Sequence, residues 1–224
     1  MRAPAIGQAL VAARDADDGM RSALALDRIG RIYLRAGQLE DARQVFSLGV
    51  MAADRARSAE AAGWLHASQA RVHAAMGDAA RARDSIEQSR SALDAPSEAI
   101  PAPNNFTLDS WTSIAGKVNF ALAETDGTYA ASAIDSLSAY TATVDPVRVK
   151  RKAFALTELA TCHLRSGDPA TGIHCGHQAA DLAAGISSDG LRQHLRMLAR
   201  AAQYHPRNTD ATDLVHRITA GTAV

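Results

Sequence analysis

The sequence predicts an all-α chain, a right-handed α-solenoid of stacked helix pairs with about 10 to 11 helices. Three observations predict it. Apolar and small residues recur at helical spacing, as in Leu26, Ile29, Gly30 and Tyr33. A helix, Gly turn and helix, read from Leu26 to Gly49, returns 40 residues later around Gly77, and Gly127 and Gly167 are again 40 apart. Strand-type alternation of Val, Ile, Thr and aromatic residues is hard to find. A repeat stack grows by addition, so the length of 224 residues does not by itself set a domain count.

Composition agrees and narrows the function classes. Apolar residues make up 47% of the chain but aromatics only 4%, with much Ala, which suits close helix–helix contact. Lys plus Arg equals Asp plus Glu at 24 each, so the basic excess of a nucleic-acid-binding domain is missing. Lys117, Lys150 and Lys152 are the only lysines, and this Arg bias together with the Ala content suits a high-GC genome. Cys162 and Cys175 are too few for a disulfide framework, which fits a reducing, cytoplasmic setting. The first fifteen residues lack the pattern of a signal peptide, and no apolar run is long enough to span a membrane.

In order, residues 4–14 read as a helix with Ile6, Leu10 and Ala13 on one face. The segment Gln8 to Ala13 aligns with Leu48 to Ala53, so the chain is expected to open on the second helix of a half repeat. Repeat one has helices at about 20–36 and 39–55, the second with Leu39, Ala42, Phe46, Gly49 and Ala53 inward. Repeat two has helices at about 59–76 and 79–93; Gly77 closes the first and Asp78 caps the second. His73, Ala82 and Ile86 take the places of Tyr33, Ala42 and Phe46. Residues 95–106 hold three prolines and two asparagines and read as a hinge. Repeat three has helices at about 108–125 and 129–143, turning at Asp126-Gly127, with Phe120 where a small residue is expected. Repeat four has helices at about 147–166 and 169–184, with Asp145-Pro146 and Asp168-Pro169 as cap and first helical residue. Helices at about 188–203 and 209–219 close the chain as a capping pair. The expected domains are 1–94 (repeats after a half repeat), 95–106 (hinge), 107–186 (repeats) and 187–224 (capping helices).

The small positions Gly30, Ala70 and Ala160, the aromatic-type positions Tyr33, His73 and His163, the turn glycines Gly37, Gly77 and Gly167, and the second-helix positions Ala42, Ala82 and Gly172 form a pattern. It resembles the tetratricopeptide repeat (TPR), although the spacing of 40 exceeds that family's usual 34. A narrower resemblance rests on three phrases: A-A-G-W-L-H-A-S-Q-A-R-V-H-A-A-M-G-D, R-V-K-R-K-A-F-A-L-T-E-L-A-T-C-H-L-R-S-G-D-P and L-R-M-L-A-R-A-A-Q-Y-H. They are similar to the C-terminal TPR-like region of actinobacterial helix-turn-helix regulators. The resemblance implies a sensor or interaction role. No helix-turn-helix segment is found within the 224 residues, so direct nucleic-acid binding by this chain is not expected.

The first helix of each TPR pair lines the groove. Its outward positions here are Asp27, Arg31, Leu34 and Arg35, then Trp64, Ala67, Ser68 and Arg71. Arg31 and Arg71 stand 40 apart and could pair a carboxylate, with Trp64 as an apolar anchor. The alternative is a solvated face with i,i+4 pairs such as Asp27–Arg31. Arg148, Lys150, Arg151 and Lys152 crowd a helix start against its dipole, which suggests either an acidic partner or a solvated face. Cys162, His163, His174, Cys175 and His177 do not have zinc-site spacing. The carboxylates Asp84, Glu87, Glu124 and Glu158 read as surface groups, and no catalytic string is present.

The expected function is therefore a protein- or peptide-binding regulatory module, not an enzyme and without a cofactor. The expected partner is a protein or peptide in the groove, with a homodimer or an N-terminal partner covering the half repeat; no membrane is involved. The alternative is a stand-alone scaffold or accessory protein of a biosynthetic or secretion complex.

Overall fold

The computed structural model describes residue 11, residues 18–94 and residues 106–222. All of the expected opening helix at 4–14 and its half repeat except residue 11, and nearly all of the 95–106 stretch, lie outside these residues. Among the described residues there are ten α-helices and no strand: α1 Gly19–Arg35, α2 Leu39–Arg55, α3 Ala59–Ala75, α4 Ala79–Asp94, α5 Leu108–Ala123, α6 Ala130–Thr143, α7 Val149–Arg165, α8 Pro169–Ala183, α9 Asp189–Gln203 and α10 Thr209–Thr222. A single 3-10 turn, Gly127–Tyr129, precedes α6.

Five helix starts are set by polar caps. The side chains of Asp18, Ser58, Asp78, Asp168 and Asn208 accept from the amides of Arg21, Ala61, Arg81, Thr171 and Ala211, each three residues on. The helix ends repeat as well. Gly37, Gly77 and Gly167 have φ of +75°, +75° and +85°. The amides of Gln38, Asp78 and Asp168 then reach back to the carbonyls of Tyr33, His73 and His163 at 2.9–3.0 Å. This closure satisfies last-turn carbonyls and requires the left-handed conformation that Gly adopts freely. Arg57 makes the same turn after α2 at φ +49° without being Gly.

One start differs from expectation. Pro146 is not the first residue of a helix. Asp145 accepts from the amide of Val147 two residues on, closing a tight turn, and α7 begins only at Val149 with Arg148 as its N-cap.

The chain divides into two compact units, residues 1–114 and 115–224, and the division falls inside α5. In the first unit α1 packs on α2, α2 on α3, α3 on α4, and α1 also on α3. Phe46, Leu65 and Val72 are fully buried in its core among Ala23, Ala42, Ala53 and Ala61. In the second unit α6 packs on α7, α7 on α8, α9 on both, and α10 on α8 and α9. Leu137, Leu156, Leu159, Leu191, Leu198 and Leu214 are buried there. The α9–α10 pair thus stacks as the pairs before it do.

Close crossings explain the small residues. A Cβ on Gly30 would stand 2.5 Å from the Phe46 ring, and one on Gly49 would stand 2.5 Å from Leu65. Repeat three departs from this. Phe120 occupies the small position, and the close contact moves one turn back, to Gly116 against Leu137 at 2.8 Å. Gly127 is not in the left-handed region, and a Cβ there meets nothing within 4 Å.

Two predictions follow from this geometry. Gly30→Ala is expected to destabilise by about 1–3 kcal/mol through overpacking against Phe46. Gly37→Ala, which clashes with nothing, is expected to lose about 1–2 kcal/mol through backbone strain alone, while Gly127→Ala stays within about 0.5 kcal/mol of the parent. Urea unfolding of the three variants checks this, and equal losses at Gly37 and Gly127 would count against it.

His73 replaces the Tyr33-type residue in repeat two. It is buried, and its Nδ1 makes no hydrogen bond among the described residues. Burial pushes its imidazole below the ordinary range, with Asp78 opposing only in part, and burial lowers His66 likewise. The unfolded chain therefore takes up protons more readily. Stability is full above the unfolded value of about 6.5 and falls as the pH drops below it. His73→Tyr is expected to lose less stability than the parent between about pH 7.5 and 5.5. Denaturant midpoints across that range measure it, and parallel losses in the two proteins would rule His73 out as a source.

Candidate functional site

Of the residues expected to line a groove in the first unit, the structure brings Asp27, Arg31 and Ser68 together. Asp27 is only 7% exposed and Ser68 only 3%. Asp27 Oδ1 accepts from Ser68 Oγ at 2.8 Å, and its Oδ2 accepts from Arg31 Nη1 at 3.0 Å. These two residues, and the fully buried Ala67, are therefore not outward. The reason is the stack itself: α3 covers the face of α1 that carries Asp27, and a carboxylate survives there because both oxygens are bonded. Arg31 and Arg35 are exposed on α1, and Arg71 and Trp64 are half-buried on α3. The i,i+4 pair Asp27–Arg31 is formed.

Trp64 has a neighbour from its own chain. Its ring lies 5.1 Å from that of Phe106, tilted by 60°. The Phe106 amide donates to Glu60 Oε1 at 2.9 Å, and its ring lies where a side chain at position 63 would go, 2.6 Å from a Cβ built on Gly63. Part of the apolar surface expected to anchor a ligand thus already holds Phe106.

The basic cluster sits at the start of α7. Arg148, Lys150 and Arg151 are exposed and Lys152 half-buried, beside Val147 at 86% exposure. No side-chain cap satisfies this helix start, and its first turn contains no acid. Four cations within five residues fan around the helix end instead of lining one face, because successive residues turn by about 100°.

The second unit holds a group not expected from the sequence. Glu158, read as a surface carboxylate, is 3% exposed. Its Oε1 pairs with His194 Nδ1 of α9 at 3.4 Å. The His194 ring stacks beside Phe120 at 6.3 Å and meets Phe154 edge-on at 5.1 Å. The signal was available: from Ala153 to Leu164 Glu158 is the only Asp, Glu, Lys or Arg, so this helix has no polar face and Glu158 had nowhere exposed to go.

Both thiols are inert as placed. Burial, then the charge of Glu158, pushes Cys162 up to about 12, and burial pushes Cys175 up too. His163 pairs with Asp168 at 3.3 Å, and His174 contacts Gln178. Among the described residues no three His, Cys, Asp or Glu side chains come together to hold a metal ion.

Two hollows lie among the described residues of this unit. One, of about 590 Å³, is open and lies over the turn around Tyr204 and Pro206. The other, of about 310 Å³, lies between the ends of α5 and α7 and the start of α6. Phe120, Ala123, Ala130 and Cys162 line it, and Glu124 and Arg165, bonded to each other, stand at it.

No protein-family model matches the chain, and no curated protein matches it. Solved structures do. One is the crystal structure of nearly identical TPR-like repeats from Podosopora anserina, described as a kinesin light chain. It has a TM-score of 0.60 at 20% identity, over 89% of this chain and 94% of that one. A single-substitution variant of those repeats gives 0.60 at 18% identity, over 89% and 93%. At such identity the likeness shows the fold: the chain is an all-helical α-solenoid of TPR-like repeats.

Proposed function

We propose that the chain is a protein- or peptide-binding regulatory module, the sensor or interaction part of an actinobacterial transcriptional regulator. The observation that carries the binding reading is the exposed pair Arg31 and Arg35 on α1, with Arg71 and Trp64 half-exposed on the neighbouring α3. The Asp27–Ser68 bond fixes α1 against α3, so these cations are held on the packed first helices of two successive pairs instead of on a loop. A fixed set of guanidiniums suits a carboxylate, as in an acidic peptide or a protein C-terminus. The regulator role is supported by the three phrases quoted above. Among the described residues no helix is long and apolar enough to cross a membrane.

The basic start of α7 is a second contact for an acidic partner. Its cations oppose the helix dipole, at a cost of about 0.3–1 kcal/mol each when exposed at low salt. A bound acidic partner would offset that cost.

Replacing Arg31 and Arg71 together by Ala is expected to reduce partner capture from native cells at least tenfold, about 1.4 kcal/mol. Unchanged affinity would sink the groove reading. An in-frame DNA-binding segment encoded with the chain would support the regulator role. A scaffold would instead be captured with the enzymes or secretion components it serves. For the second contact, Lys150→Glu with Arg151→Glu should raise stability by about 0.5–1 kcal/mol while weakening partner binding. Higher stability with unaltered binding would mark the cluster as a solvated face.

A further inference from the structure

Helix α5 breaks the rule that the other first helices obey. Where they carry Gly30, Ala70 and Ala160, it carries Phe120. A phenyl ring is far larger than the hydrogen or methyl group that the crossing holds elsewhere, and here Gly116 makes the close contact with Leu137. The contact point moves toward the start of α5. The far end of that helix, at Ala123 and Glu124, borders open space next to α6, which itself begins late, after the Gly127–Tyr129 turn. The hollow of about 310 Å³ is what remains.

Its chemistry is specific. The Phe120 ring, two alanine methyls and the Cys162 thiol form the walls, and that thiol stays protonated and acts as an apolar surface. A dry apolar cavity of about 150 Å³ already admits benzene, so this one has room for a large aliphatic or aromatic side chain. Glu124 and Arg165 stand side by side at it, with side chains 30% and 45% exposed. Their one hydrogen bond leaves a carboxylate oxygen and several guanidinium N–H groups available. The pair is neutral overall, so it does not select a charged ligand. It matches a group with one donor and one acceptor, as a peptide amide has.

We infer that this cavity takes one apolar side chain of a protein partner, while the adjoining peptide amide donates to Glu124 and accepts from Arg165. The inference rests on the reading of the chain as a peptide-binding module and adds a second, separate point of contact to it.

The test titrates the isotopically labelled full chain with N-acetyl-tryptophan amide, N-acetyl-leucine amide, N-acetyl-alanine amide and indole, following the NMR signals of Gly127, Cys162 and Ser166. The tryptophan and leucine amides are expected to give saturable shifts there, with affinity at least tenfold above the alanine amide. Indole should bind more weakly than the tryptophan amide, and Glu124→Ala with Arg165→Ala, which removes the acceptor and the donor, should bring the two together. Ala123→Leu and Ala130→Leu, which fill the space, should abolish saturation in folded protein. Absence of saturable shifts at these residues overturns the inference. So does equal binding of indole and the tryptophan amide, which would mark a site for small apolar molecules. If the amides fail to bind while capture still depends on Arg31 and Arg71, the cavity alone falls. If the amides bind and capture ignores those arginines, the groove reading falls and the cavity stands.

Discussion

The structure depends on how closely the two helices of a pair can cross. At Gly30 the Phe46 ring lies so near the backbone that a methyl group would overlap it. This contact sets the approach of α1 to α2, and hence where α3 can lie against both. An Ala-rich core buries little area per residue. At about 25 cal/mol per Å² such side chains stabilise only if nearly every atom is in contact. Small residues at the crossings allow that, which is why the period of 40 is written most clearly in Gly and Ala.

Close approach of helices of similar shape leaves a second problem, which is register. Several polar contacts join helices at offsets of about one repeat. Ser68 binds Asp27 and Arg165 binds Glu124, each across 41 residues. His205 contacts the carbonyl of Leu164 at the same offset. Glu158 reaches His194 across 36. Apolar faces made of alanine would tolerate sliding by a turn; a buried carboxylate would not, since leaving its partner costs several kcal/mol. Asp27 and Glu158 act as pins in this sense.

This also separates what the sequence revealed from what it did not. Helix bounds came out within a few residues because caps and terminal glycines are local: Asp78, Asp168 and Gly77 act on the amides and carbonyls of their own turn. The small crossing positions were legible because they repeat. Burial of the charged residues was not. On a single helix Asp27 lies opposite the apolar stripe, but a first helix in a stack is covered by its own partner, by the preceding second helix and by the next first helix. Only a partner 41 residues away makes that position tolerable, and nothing local announces Ser68. Pro146 misled for a related reason. Asp-Pro opens a helix or a tight turn equally well, and the amide of Val147 decided for the turn.

Repetition and its failures then suggest different roles. Positions that obey the period, such as Gly30, Ala70 and Ala160, are consumed by packing and offer a ligand nothing. Cations on the same helices face outward because the repeat gives them no inward place, and they form a surface by accident of register or by selection. Phe120 is another matter. It violates the period at the most demanding position, and the helix pair accommodates it by moving its contact to Gly116 instead of expelling the ring. A large side chain at a small site is usually corrected by a substitution of the ring or of what it meets, because overpacking costs about 1–3 kcal/mol. Here the ring is kept and buried, and a lined cavity with a donor and an acceptor lies beside it. An array built from equivalent units acquires a distinct site most simply by letting one unit depart from the rule, and α5 is the unit that does.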